Sequence, residues 1–197
     1  MPSTSQPRPR RTRLTPEREG ELYEAVLTLL REGGYDALTM EGVAARSRSS
    51  KATLYRQWGT KPRLVAEALR HHRPFGLDNL DTGSLRGDLI ELVGRIGRAK
   101  KDFEVLGTVA YAARQDEELA AALHAALVQP MVDVLRAMTD RAVARGEVAP
   151  DAPALPLLPH LLMGAQVGRK LVDRREPDAG FLTCFVDAVV LPALTQT

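Results

Sequence analysis

Residues 39–61 read TMEGVAARSRSSKATLYRQWGTK, and the order of residue types in this stretch decides the fold. Thr39 stands where a side-chain oxygen can accept from the first free N–H groups of a short helix carrying Val43 and Ala44 and ending near Arg46. Ser50 is placed to do the same for a helix running through Gln57, Gly59 breaks that helix, and Thr60 caps the next. At about 100° per residue, Leu54 and Trp58 share one face of the Ser50-capped helix. Ala52 and Arg56 fall on the opposite face, with Thr53 and Tyr55 at the flanks. Two short capped helices around a turn, the second with one buried face and one small-and-basic face, make a helix-turn-helix.

The charge pattern agrees. Between Glu41 and Glu67 stand Arg46, Arg48, Lys51, Arg56, Lys61 and Arg63, with no acidic residue. A phosphate backbone selects such a surface, because neutralising phosphates releases condensed counterions. A small residue at Ala52 lets the helix sink into a major groove. Arg56 has the fork that reaches guanine acceptors, and Thr53 suits a thymine methyl or a phosphate. Tyr55, Lys51 and Lys61 are expected as phosphate clamps, which fix register without reading sequence. A solvated basic face would account for the charges alone, but not for the caps, the turn and the small outward residue together.

Outward from this unit the chain is helical throughout. Thr15-Pro16 opens a first helix with Leu22, Val26, Leu29 and Leu30 on one stripe, and Gly33-Gly34 stops it. Leu64, Val65, Ala68 and Leu69 line a fourth helix before Pro74. Ser84 caps a helix bearing Leu85, Leu89, Leu92, Val93 and Ile96, and another follows with Phe103, Leu106, Val109 and Ala110. Asp116 caps a long helix to about Arg145, with Glu117 and Glu118 in its first turn. Pro130 is expected to kink this helix rather than end it, because the apolar pattern resumes at Met131. Helices at about 154–172 and 178–193 close the chain. With no alternating apolar run flanked by turn signals, the fold class is all-α: a helix-turn-helix domain followed by a helical domain. The divisions are a disordered basic arm over 1–14, a DNA-binding domain over 15–73, and a second helical domain over 74–197, to which the resemblance given below assigns ligand binding and dimerisation. The arm carries Arg8, Arg10, Arg11 and Arg13, and a solvated leader and a DNA-reaching arm are both open readings of it.

The net charge of +2 over 197 residues hides an asymmetry. Residues 1–73 hold 14 Lys/Arg and 8 Asp/Glu, a net of +6, while residues 74–197 hold 13 and 17, a net of −4. The first part is built to meet a polyanion and the second is not. Cys184 is the single cysteine, so neither an internal disulfide nor a thiolate metal cage can form. Set among apolar residues, it reads as core. No run approaches the ~18 consecutive apolar residues that span a bilayer, and the N-terminus lacks a secretory signal's apolar segment. These features suit a cytoplasmic protein with no membrane partner. His71-His72, His124 and His160 are scattered, and adjacent helical histidines point about 100° apart, so His71-His72 reads as a solvated helix end. No nucleophile elbow, zinc-helix motif or phosphate-cradling glycine loop is present. An enzyme, a metal site and a cofactor are therefore not expected.

Residues 43–55, VAARSRSSKATLY, followed by Arg56, Trp58, Gly59 and Lys61, resemble the DNA-binding segment of the tetracycline-repressor (TetR) family. Its pattern is Val-Ala-x-x-Ala-Gly-Val-Ser-x-x-Thr-Leu-Tyr, then an aromatic, then a Lys opening the fourth helix. The resemblance is strong over about 15–73. Further on, Asp116-Glu117-Glu118-Leu119 and the RAVARGEV run of Arg141–Val148 look like one of the family's regulatory domains. Two departures stand in the turn: Arg48 replaces the family's Gly and Ser49 its apolar residue. Either the turn takes another path, or local stability is lost for an added contact from Arg48; the second is the reading adopted. The resemblance implies DNA contacts from Thr39, Arg48, Ser49, Ser50, Lys51, Ala52, Thr53, Tyr55, Arg56 and Lys61, on a double-stranded, palindromic operator. It also implies a homodimer through the last two helices, for which Leu158, Leu162, Phe181, Phe185 and Val189 are the candidates. A small-molecule effector of unidentified chemistry is implied among the middle helices, with Phe103, Leu106, Tyr111, Met138, Met163 and Gln166 as pocket candidates. The function implied is a DNA-binding regulator, a repressor released by its ligand. The competing reading is a dimeric ligand-binding module whose altered turn no longer reads DNA.

Overall fold

The structure, a computed structural model, describes residues 14–72, 80–98 and 100–195, with the side chains of 97–104 outside the description. The basic arm, apart from Leu14, and the side chain of the pocket candidate Phe103 lie outside the described residues.

Four helices form the N-terminal part: α1 (Pro16–Ala37), α2 (Met40–Arg46), α3 (Lys51–Trp58) and α4 (Lys61–His71). The caps fall where the sequence puts them. The hydroxyls of Thr15, Thr39, Ser50 and Thr60 accept from the backbone N–H three residues on, each satisfying a donor that the first helical turn leaves free. The α1 backbone breaks at Gly34, whose φ of 74° only a residue without Cβ adopts freely. One further turn then carries Tyr35 inward.

Beyond them lie α5 (Leu85–Arg98), α6 (Lys100–Ala112), α7 (Glu117–Leu123), α8 (Gln129–Ala144), α9 (Leu158–Asp173), α10 (Ala179–Phe185) and α11 (Leu191–Thr195). Ser84 Oγ accepts from Gly87 N–H and Asp116 Oδ1 from Leu119 N–H, as capping requires. Around Pro130 the expected kink takes a specific form: a π turn over His124–Val128 joins α7 to α8. Widening the turn just before a residue that lacks an N–H lets the helix continue past it. A second π turn, Val186–Val190, joins α10 to α11 ahead of Pro192. No strand occurs among the described residues.

Two apolar cores result, and they do not divide at residue 73. The first gathers Leu22, Val26, Leu54, Trp58, Leu64 and Val65 with Val105, Val109, Leu119 and Leu123, so α6 and α7 complete the DNA-binding module. The second gathers Leu85, Leu89, Leu92, Met138, Leu158, Leu162, Leu182 and Val186. Glu117–Ala144 is long and apolar enough, by length and composition alone, to cross a bilayer. Its buried residues instead enter both cores, and it carries Asp133, Arg136, Asp140 and Arg141.

A buried polar knot ties the start of α5 to the end of α8. The Asp88 carboxylate is fully buried and accepts from Thr82 N–H at 2.6 Å, Thr82 Oγ1 at 2.8 Å and Arg141 at 3.1 Å. Burial pushes this carboxyl up, but the Thr82 and Arg141 hydrogen bonds outweigh burial and hold it below the ordinary value. Arg141 also donates to the Leu80 carbonyl, while Glu147 accepts from Leu85 N–H at 2.7 Å.

Candidate nucleic-acid interface

The turn between α2 and α3 is the centre of the site. Ser49 N–H donates to Ala44 O at 2.9 Å and Arg48 N–H to Ala45 O at 3.3 Å, the paired bonds of a helix end that requires a left-handed residue between cap and exit. That residue is Arg48, at φ 50°. The turn takes the left-handed path, so an arginine occupies the conformation in which a glycine is free of strain.

The first turn of α1 supports this strained turn. The Arg18 guanidinium donates to the Ser47 carbonyl, to the Arg48 carbonyl at 3.0 Å and to Ser49 Oγ at 3.3 Å, and it pairs with Glu21. Ser49 is half-buried, and its hydroxyl is held by these partners where an apolar contact was expected to be missing. At the other end of α3, Trp58 is buried and its indole N–H donates to Tyr23 Oη at 3.3 Å, with the two rings edge-to-face at 5.8 Å. Gln57 donates to Glu19 at 3.4 Å. Leu54, fully buried, fills the space between. Thus α1 grips both ends of α3.

This grip leaves Ser50, Lys51, Ala52, Tyr55 and Arg56 exposed along α3, with Thr53 half-buried. Tyr55 retains 49% of its accessible surface. Thr53 Oγ1 lies 2.8 Å from Ser50 Oγ, so its hydroxyl already belongs to the helix cap. Thr39 and Arg48 are also exposed.

The six cations of the basic window divide into two groups. Arg46 pairs with Glu32, and Lys51 with Glu41, whose carboxyl is held below its ordinary value chiefly by the Lys51 hydrogen bond. Glu41 therefore folds back onto the acid-free window from its edge, which spacing along the chain does not reveal. Lys61 departs from the phosphate-clamp expectation. Its ammonium donates to the Tyr35 and Leu38 carbonyls, each at 3.0 Å, and stands 4.0 Å from the Tyr35 ring centre. Two of its three N–H groups close the end of α1, so Lys61 is first an internal fastener. Arg48, Arg56 and Arg63 form no side-chain ion pair or hydrogen bond among the described residues. Arg63, in the first turn of α4, is the exposed cation the contact set omitted; its place in the basic window was the available signal.

Among the described residues, two side-chain hydrogen bonds tie the four N-terminal helices to the start of α7. Tyr35 Oη donates to Asp116 at 3.0 Å and Thr60 Oγ1 to Glu118 at 2.7 Å. Burial, then the bond to Asp116, pushes the Tyr35 phenol up. Asp116 is held low, first by the Leu119 N–H it caps.

Expectations for the C-terminal helices need correction. The pocket candidates do not converge. Tyr111 and Met163 are exposed, Leu106 packs on the first core, Met138 is fully buried in the second, and Gln166 bonds back to the Leu162 carbonyl. Helical spacing identifies apolar positions but not which cavity they face. A 500 Å³ groove opens instead between α8 and the start of α9, lined by Val132, Leu135, Val143 and Leu155 with exposed Arg136 and Asp140. Of the interface candidates, Leu158 and Leu162 are internal core, because their stripe of α9 faces α8 and α10. Phe181 and Phe185 are half-buried and Val189 is exposed. The outward apolar face of α9 is Met163, Val167, Leu171 and Val172, between 50% and 80% exposed, preceded by the exposed Leu157, with open space beside Gly164 and Gly168. Cys184 is exposed rather than buried in the core.

Residues 22–68 match the family model of bacterial regulatory proteins of the tetR family, and residues 80–189 match the tetracyclin repressor-like C-terminal domain. An uncharacterised HTH-type transcriptional regulator of Mycobacterium tuberculosis is 34% identical over 91% of this chain and 89% of its own length. A DNA-binding transcriptional repressor, TetR, of Mycobacteroides abscessus is 33% identical, covering 88% of this chain and 92% of its own. Among solved structures, a TetR family transcription regulator superposes with a TM-score of 0.67 at 28% identity, covering 90% of this chain and 98% of the other.

Proposed function

The chain belongs to the TetR family of helix-turn-helix transcriptional regulators, and from that premise we propose that it is a repressor that binds a palindromic operator as a homodimer and leaves it on binding a small molecule. The observation that carries the DNA-binding part is the exposed face of α3. Ala52 and Arg56 point away from a core held by Leu54 and Trp58, and three arginines beside or on that face lack an internal partner among the described residues. Arg56 reads a base edge, Arg48 and Arg63 bind phosphates, and Lys51 exchanges Glu41 for a phosphate on docking. The module that has lost DNA reading is not favoured, because the turn keeps its left-handed path despite Arg48.

Dimerisation joins the outward face of α9 to that of α10 and α11 on a second copy. The unpartnered Val167, Leu171 and Val172 and the 380 Å³ groove between α9 and α10 support it. A two-fold dimer sets two copies of α3 one or more helical turns of DNA apart. For the effector, the groove between α8 and α9 has a mostly apolar wall and two charged groups, which suits an amphiphilic molecule. Filling it would press on α8 and, through the continuous α7–α8 rod, on Asp116 and Glu118 where they bond the DNA-binding module. The test is selection of bound duplexes from a random pool by the purified protein. Enrichment of a palindrome supports the reading, and a pool that stays random refutes it.

A further inference from the structure

We propose that Arg18 is a positioning residue for DNA binding: it holds the strained turn before the recognition helix and so fixes the angle at which α3 leaves the rest of the module. This rests on the DNA-binding reading above and goes beyond it in naming a side chain that touches no DNA.

The argument begins with Arg48. Its φ of 50° lies where an L-residue's Cβ crowds the following carbonyl, so the turn is biased toward negative φ. Relaxing in that direction would break the paired bonds from Ser49 N–H and Arg48 N–H to the end of α2, and would swing Ser50, the cap of α3. Something must oppose the bias. One Arg18 nitrogen, Nη2, meets three consecutive residues of the turn, sharing its two N–H groups among the Ser47 carbonyl, the Arg48 carbonyl and Ser49 Oγ, while Nη1 pairs with Glu21. The two carbonyls lie at the C-terminal end of α2, where a cation is also favoured by the helix dipole. The Glu21 pairing at Nη1 orients the guanidinium plane and so aims Nη2 at the turn, an orientation that a single ammonium does not have. Tyr23 and Glu19 fix the far end of α3 independently, through Trp58 and Gln57. Losing Arg18 therefore frees one end of α3 while the other stays anchored, which tilts the helix rather than unfolding it.

The experiment measures binding of the selected operator by the full chain, with Arg18→Ala and Arg48→Gly made singly and together. Each protein is titrated over several salt concentrations, and amide exchange is followed across residues 47–54. Arg18→Ala is expected to weaken the operator on the order of ten-fold, with the salt slope and base preference unchanged and faster exchange confined to 47–54. With glycine at 48 the turn needs no clamp, so the same change should cost less than about three-fold there. Arg18→Lys should recover part of the affinity, and it carries the same test should Arg18→Ala not fold. A salt slope shallower by about two per dimer, with the same deficit in both backgrounds, would make Arg18 a phosphate contact and overturn the proposal. So would an unchanged affinity with only a lower melting temperature. If the wild-type chain binds no duplex, the DNA-binding reading falls first and this proposal with it.

Discussion

Replacing Arg48 with glycine should move stability and DNA binding in opposite directions. A non-glycine residue in the left-handed region costs roughly 1–2 kcal/mol, and Arg48 occupies that region with no side-chain hydrogen bond or ion pair among the described residues. Glycine returns that energy but gives back about 0.4–1 kcal/mol through the greater freedom of its unfolded chain. The net expectation is a gain of about 0.5–1 kcal/mol, or about 1–4 °C in melting temperature for a chain of this size. The variant also loses one exposed cation per chain, two per dimer. Operator affinity should fall, and the plot of log affinity against log salt should become shallower by about 1.8. Thermal unfolding at matched protein concentration, with salt titration of operator binding, reads both. An unchanged or lower melting temperature would refute the strain argument, and an unchanged salt slope would remove Arg48 from the phosphate contacts.

Arg56→Ala should cost about 1–3 kcal/mol at one base pair and relax preference there, read by binding to operators mutated position by position; a uniform loss would assign Arg56 to a phosphate. Lys61→Ala should lower stability by about 1–2 kcal/mol, because two carbonyls at the end of α1 lose a charged donor. Its salt slope should stay within error of wild type, and a shallower one would restore Lys61 as a clamp. Asp88→Asn should lower the melting temperature by about 5–10 °C, since it weakens a buried carboxylate knot worth about 2–3 kcal/mol. Because the folded Asp88 carboxyl lies below its ordinary 3.8, its contribution is fully present above that pH and is lost as pH falls through the lower folded value. The variant should therefore lose less stability than wild type on acidification below about pH 4, and parallel acid curves would count against the knot. Leu171→Glu, at a side chain 75% exposed, should shift sedimentation toward the monomer while leaving helicity intact; an unaltered dimer would move the interface off α9.

Much of this fold was legible because its signals are local. A hydroxyl three residues before a free N–H, a glycine at a break and an apolar pair four apart depend on the chain only over one or two turns. Thr15, Thr39, Ser50, Thr60, Ser84 and Asp116 all cap where the sequence places them. What escaped is what needs distance. Arg18 meets the turn across about thirty positions, and nothing near it in sequence marks it apart from any other arginine of a first helical turn. Lys61 sits in a basic window by composition, yet folding brings two carbonyls to it from 23 and 26 positions away. Leu158 and Leu162 carry the apolar spacing of an interface, and the same spacing serves an internal core. Only the packing of α9 against α8 and α10 distinguishes these, and it leaves the opposite stripe of that helix for the partner.

The central claim is that the exposed face of α3 and its neighbouring unpaired arginines meet DNA as a pair of copies. Binding of the selected palindrome across salt tests it most directly. Arg48 and Arg63 lack partners among the described residues and Lys51 exchanges Glu41 for a phosphate, so a dimer neutralises about six phosphates and log affinity should fall against log salt with a slope of roughly −5. A slope near zero, or binding that saturates at one chain per palindrome, would contradict the account.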